Sequence, residues 1–100
     1  MNRNEVKKLL LEAKHKLKIE EDVSLVIKPM KRKIASISLT NKNLSIDKYF
    51  LENASVEEVR YVIFHELLHL KHGVFHTYKF KTELKEHFSI EPYIERKNQN

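Results

Sequence analysis

Along the first eighteen positions apolar residues recur every third or fourth place. Val6, Leu9, Leu10, Ala13 and Leu17 share one side of a helical wheel, and lysines occupy the other. This predicts an amphipathic helix over 4–18, with Asn4 as its N-cap. The period then shortens. Residues 23–29, VSLVIKP, are rich in β-branched side chains and stop at a proline, as a strand does. In 33–40, KIASISLT, Ala35, Ile37 and Leu39 alternate with Ser36 and Ser38, the period of a half-buried strand. Residues 41–43, NKN, read as a turn. Residues 44–50 read as a third strand with Leu44 and Ile46 on one face. Short connections between these runs predict a small, mainly antiparallel three-stranded sheet.

The helical period returns at Ser55. SVEE, 55–58, is a capping box, with Ser55 and Glu58 three apart ahead of an apolar run. The helix it opens should reach His72. Gly73, the one glycine of the chain, stands where a helix ends in a left-handed residue. Val56, Val59, Ile63, Leu67 and Leu70 form the stripe expected to face the core, with Phe64 and Leu68 widening it. Tyr78, Phe80, Leu84 and Phe88 support a last helix over 75–88, where the aromatic residues read as ordinary core. The remainder, 89–100, contains Pro92 and ends polar. The order of elements is that of an α+β fold: N-terminal helix, sheet, long helix, C-terminal helix and tail.

One hundred residues suit one small domain, 1–100, whose core is economical at best. With no cysteine, disulfides and thiolate zinc sites are excluded. That composition fits a reducing compartment. No signal peptide or membrane span is evident, so a cytoplasmic location is expected. Net charge is +5, and four cations stand in the six residues 28–33, KPMKRK. This run reads first as a solvated turn, and second as a site for an anionic partner. No aromatic residues interleave with it, so nucleic acid is not expected as a partner.

The chemistry concentrates at 65–76, HELLHLKHGVFH, which holds four of the six histidines. His65 and His69 are four apart on a helix, about 40° around and about 6 Å along the axis. Both rings can therefore turn to one ion. Glu66 lies about 100° from His65, too far round to join them but close to a water on the metal. A catalytic zinc takes three protein ligands and leaves one position open. His72 is about 10 Å along the axis from His65, too distant to be the third. His76 follows Gly73, where the chain can turn back, and is the preferred third ligand. Glu83, Glu86 and His87 are weaker candidates. His15 and His72 read as solvated or helix-end histidines.

The stretch HELLHLKHGVFHTYKF resembles the H-E-L-x-H-L-x-x-x-x-H-x-x-x-F segment of small metallopeptidase domains, with one extra residue before the last histidine. In size and element order the chain is similar to the minigluzincins, small zincin-type relatives of membrane-embedded gluzincin peptidases. The resemblance implies one zinc ion held by His65, His69 and His76, with Glu66 as general base and acid. It implies peptide or protein substrates. It also implies a latent, zymogen-like form in which a C-terminal segment, here 89–100, obstructs the cleft within a chain or between self-associated copies. Tyr78 and Tyr93 are candidates for stabilising the transition state. An edge strand, in this reading 44–50, would take an extended substrate by β-addition. Two alternatives stand beside this one: a three-histidine metal-dependent endoribonuclease, against which Glu66 speaks, and a catalytically silent, zinc-stabilised binding module.

Overall fold

The computed structural model describes residues 1–89 and Pro92. Its elements are α1 (Arg3–Leu17), β1 (Ser24–Lys28), β2 (Ala35–Ile37), β3 (Asn43–Asp47), α2 (Lys48–Asn53), α3 (Val56–His72) and α4 (Tyr78–His87). This is the expected α+β class, with four helices around a three-stranded sheet. The expected latency segment lies, Ser89 and Pro92 apart, outside the described residues.

The cap of the N-terminal helix is Asn2, two residues before the expected Asn4. Asn2 accepts a hydrogen bond from the Glu5 amide at 2.8 Å, and the Glu5 carboxylate accepts one from the Asn2 amide at 2.9 Å. This reciprocal box is available to Asn2 and not to Asn4, because the acid must sit three residues on. Val6, Leu10, Ala13 and Leu17 then face inward. The guanidinium of Arg3 donates to the Leu25 carbonyl at 2.8 Å, tying α1 to β1.

The sheet differs from the expected hairpin series. Its order is β1-β3-β2. β2 and β3 are antiparallel, Ala35 facing Ile46 and Ile37 facing Leu44. β1 runs parallel to β3, in the register Leu25 to Leu44 and Ile27 to Ile46. The longer ladder is thus parallel. The strand expected at 44–50 is central, so it offers no free edge, and it stops at Asp47.

Asp47 supplies the physical reason. It is fully buried, and one carboxylate oxygen accepts from the Met30 amide at 2.8 Å. The other accepts from the Phe50 amide at 3.0 Å and so caps α2, which converts the expected strand end into a helix. The Asp47 amide donates to the Ile34 carbonyl at 2.7 Å. The chain leaving β1 is held at residues 30 and 34 as an arch over the end of β3, and enters the sheet again on the far side. A short loop therefore joins two strands that do not pair, a solution that connection length alone does not reveal.

The core lies between the sheet and the helices. Val59, Ile63 and Leu67 of α3 are fully buried, as are Leu44 and Ile46 of β3 and Val6 and Leu17 of α1. Each such side chain contributes about 1.5–3 kcal/mol. Of the expected α3 stripe, Val56 is exposed and Leu70 half-buried, and Tyr61 and Val62 are buried instead. Phe88 is also buried, edge-on to Tyr61 and Phe64 at 5.3 and 5.0 Å between centroids. Tyr78, expected among the core aromatics, is 84% exposed. The cause is local: the Thr77 hydroxyl accepts from the Phe80 amide at 3.2 Å and starts α4 there, which turns Phe80 inward and Tyr78 out.

Asp47→Ala strips two acceptor oxygens from half-buried amides. It should lower the unfolding free energy by about 2 kcal/mol, read by urea denaturation. A loss smaller than about 0.5 kcal/mol, the scale of an ordinary surface substitution, would show that the arch does not depend on this side chain.

Candidate metal centre

Helix α3 is set by its ends and its buried face. At its start the Glu58 amide donates to Ser55 Oγ at 3.1 Å, and the Ser55 amide donates to Glu58 Oε1 at 2.7 Å. With Val59, Ile63 and Leu67 turned to the core, His65 and His69 are left half-buried on another side. Their ring centroids are 5.1 Å apart.

The end of the helix brings in the third ring. Gly73 adopts φ 92° and ψ −169°, a region all but closed to residues with a Cβ. In that conformation its carbonyl lies 2.9 Å from His69 Nδ1. A carbonyl only accepts, so His69 Nδ1 carries the proton and, in the neutral ring, the lone pair sits on Nε2. The loop after Gly73 turns back and sets His76 beside the pair, 5.1 Å from His65 and 4.8 Å from His69 between centroids. One nitrogen from each of His65, His69 and His76 lies within 4.8 Å of the others. Nε2 of His69 and Nε2 of His76 are 3.2 Å apart.

Phe80 packs against all three rings, at 5.2 Å from His65, 4.8 Å from His69 and 4.9 Å from His76. It is 1% exposed. Sequence reading took it for ordinary core, yet it backs the histidine cluster. The signal that marks it is its place four residues after His76, on the first turn of α4.

Glu66 is buried at 8% exposure and shares a cleft of about 320 Å³ with His69 and His76. The facing wall is β2 and its continuation, through Ala35, Ile37 and Leu39. Because β2 is an outer strand, the cleft runs along a sheet edge.

The remaining candidates are elsewhere. His72 Nε2 is 2.8 Å from Glu83 Oε1, and Lys71 bonds the other oxygen of the same carboxylate. His87 lies against Phe64 at 5.0 Å, while Glu86 and His15 are exposed. Tyr78 points to solvent, and Tyr93 is outside the described residues. Burial raises the Glu83 carboxyl, but hydrogen bonds from Lys71 and His72, with their charges, outweigh it and hold the group below its ordinary 4.5. Lys71 also donates to the Leu17 carbonyl at 3.2 Å, so this knot joins the ends of α1 and α3 to α4.

Comparison with known proteins agrees with this geometry. No protein-family model matches the sequence. An uncharacterised protein of Aquifex aeolicus is 46% identical over 81 residues, 81% of this chain and 74% of that protein. Among solved structures, the metallopeptidase zymogen jannalysin of Methanocaldococcus jannaschii superposes with a TM-score of 0.79 at 42% identity, covering 83% of this chain and 81% of the other. The zymogen abylysin of Pyrococcus abyssi gives 0.78 at 34% identity, covering 83% and 79%. A helix-borne H-E-x-x-H, a third histidine beyond a short loop and a sheet edge across the cleft define a metallopeptidase of the zincin type. The chain belongs to the minigluzincin family of small metallopeptidases that includes jannalysin and abylysin.

Two expectations follow from this geometry. A Cβ on Gly73 meets nothing within 4 Å, so any penalty there comes from the backbone. L-alanine at 73 should cost about 1 kcal/mol or more, whereas D-alanine, whose mirror-image preference matches φ 92° and ψ −169°, should cost none. Denaturation of the two semisynthetic chains measures this, and equal stabilities would show that the sign of φ is immaterial. For Glu83, a depressed carboxyl stabilises the fold above its unfolded value. The stability gap between wild type and Glu83→Gln should thus be full above about pH 4.5 and close as pH falls through the lower folded value. A gap that widens in acid would reverse the assigned direction.

Proposed function

We propose that the chain hydrolyses peptide bonds as a one-zinc peptidase, with His65, His69 and His76 as the ligands and Glu66 as general base and acid. The observation that carries this reading is the convergence of three imidazole nitrogens within 4.8 Å beside a buried glutamate in one cleft. The donor set suits zinc. At Zn–N distances of about 2.0–2.1 Å, tetrahedral geometry separates neighbouring nitrogens by roughly 3.3 Å. The Nε2 atoms of His69 and His76 are already 3.2 Å apart. The Gly73 carbonyl supports the same role, since an outer hydrogen bond on Nδ1 orients a ligand ring and makes it more basic.

A zinc ion, when bound, supplies Lewis acidity toward the scissile carbonyl and the attacking water. The chain's own groups do the rest. Glu66 accepts the water's proton and returns it to the leaving amine. Burial keeps this carboxylate out of bulk water, so proton transfer stays local. The outer edge of β2, rather than the strand first expected, takes an extended peptide by main-chain pairing. Ile37 and Leu39, both half-buried, then face substrate side chains along that wall.

In the same reading the chain is a single peptidase domain over 1–100 acting in the cytoplasm. Residues 89–100 keep it latent, from the same chain or from a second copy. Jannalysin and abylysin are described as zymogens, which supports latency here. Neither rival is favoured by an observation: Glu66 in the cleft has a role in peptide hydrolysis and none in a three-histidine endoribonuclease.

Full-length protein carrying an engineered protease site after Ser89, folded and then cut, tests the scheme. Cutting should raise turnover of a quenched fluorescent peptide. Glu66→Gln should reduce turnover by at least about 100-fold while zinc content stays at one per chain. His65→Ala, His69→Ala and His76→Ala should each lose zinc. A Glu66→Gln enzyme with wild-type turnover would remove the assigned base.

A further inference from the structure

Lys33, Ala35, Ile37 and Leu39 occupy alternate positions of one segment, and all four line the cleft that holds Glu66, His69 and His76. A peptide laid along β2 therefore meets a cation at one end of the wall and Ala35, Ser36, Ile37 and Leu39, uncharged side chains, along the rest. We infer that the cleft selects peptides with an aspartate or glutamate near the scissile bond, recognised by Lys33. This inference rests on the peptidase reading and adds its substrate class.

Three features support it. Lys33 is exposed, and among the described residues it forms no ion pair. Its charge is thus available to a ligand. Lys28, Lys31, Arg32 and Lys33 stand together in a run without an acid, so the field at that end of the cleft is not cancelled locally. The nearest carboxylate along the chain on the C-terminal side, Asp47, is fully buried and occupied with the Met30 and Phe50 amides.

The third feature is rigidity. Asp47 holds the arch at Met30 and at Ile34, immediately before and after Lys31, Arg32 and Lys33. The backbone carrying these cations is ordered before any ligand arrives, which lowers the entropic cost of recognition. The rest of the cleft argues for one carboxylate rather than a phosphate backbone. Beside Lys33, the wall offers Ala35, Ser36, Ile37 and Leu39, with no second cation for a neighbouring phosphate. Lys33 stands two residues before β2 (Ala35–Ile37), so it meets a peptide at one end of the paired stretch. The preference should accordingly fall at one substrate position, on one side of the scissile bond.

The test uses the full-length chain cut after Ser89 and loaded with zinc. Peptides identical except for Asp, Asn or Lys are compared at each position flanking the cleaved bond. At one position kcat/KM should favour Asp over Asn by about tenfold, carried mainly in KM, and the ratio should shrink at high salt. Lys33→Gln should erase the ratio, and Lys33→Glu should turn it toward Lys. Circular dichroism of both variants checks that the fold is kept. Equal rates for Asp and Asn at every position, or a ratio that survives Lys33→Glu, overturn the inference and leave the peptidase reading standing. If no peptide is cleaved and RNA is degraded instead, the peptidase reading falls and the inference with it. Calorimetry with Asp- and Asn-containing peptide hydroxamates reads the same preference without turnover: tighter binding of the Asp form, lost in Lys33→Gln, supports it, and equal affinities overturn it.

Discussion

The hydrogen bond between His69 Nδ1 and the Gly73 carbonyl, 2.9 Å long, is the contact on which the site depends. It does two things at once. It fixes which nitrogen of His69 carries the proton, and it fixes where the chain goes when α3 ends. Both follow from the backbone of one residue. With negative φ, Gly73 would aim its carbonyl elsewhere and the following loop would leave along another path. His76 would then have no reason to lie near the other two rings. The helix supplies two donors by its own periodicity, and the turn supplies the third.

A second joint does comparable service for the opposite wall of the cleft. Asp47 ends β3, caps α2 and holds the arch that carries the chain from β1 to β2. Without that arch β2 would have no fixed place on the outer side of β3, and the cleft would lose its wall. The two joints are far apart in sequence and address different halves of the same space. One positions the three imidazoles, and the other positions the sheet edge across the cleft from them.

Much of this was legible in the sequence, for identifiable reasons. The spacing of His65 and His69 is information in one dimension, because a helix converts four residues into one turn. The capping box at Ser55 and the lone Gly73 mark the ends of that helix through local rules as well. His76 was reachable because a short loop leaves few places to go. What escaped was set by contacts between segments distant along the chain. The parallel pairing of β1 with β3 depends on a carboxylate at 47 bonding an amide at 30, and nothing at either position announces the other. Phe80 is apolar and helical like any core residue, so only its neighbours in space separate it from Phe88. The expected strand at 44–50 failed at Asp47, where a side chain able to cap competed with continued pairing.

The division of labour within α3 has a consequence for the order of assembly. Val59, Ile63 and Leu67 on one face are fully buried in the apolar core cluster. The imidazoles lie on another side, two half-buried on the helix and one on an exposed loop, and they meet that interior through Phe80. An ion held by these imidazoles would thus join a fold that has its own apolar core, unlike a zinc finger, whose folding and metallation are one event. On the proposed reading, chelation of such a protein would be a reversible extinction of chemistry rather than a collapse of shape.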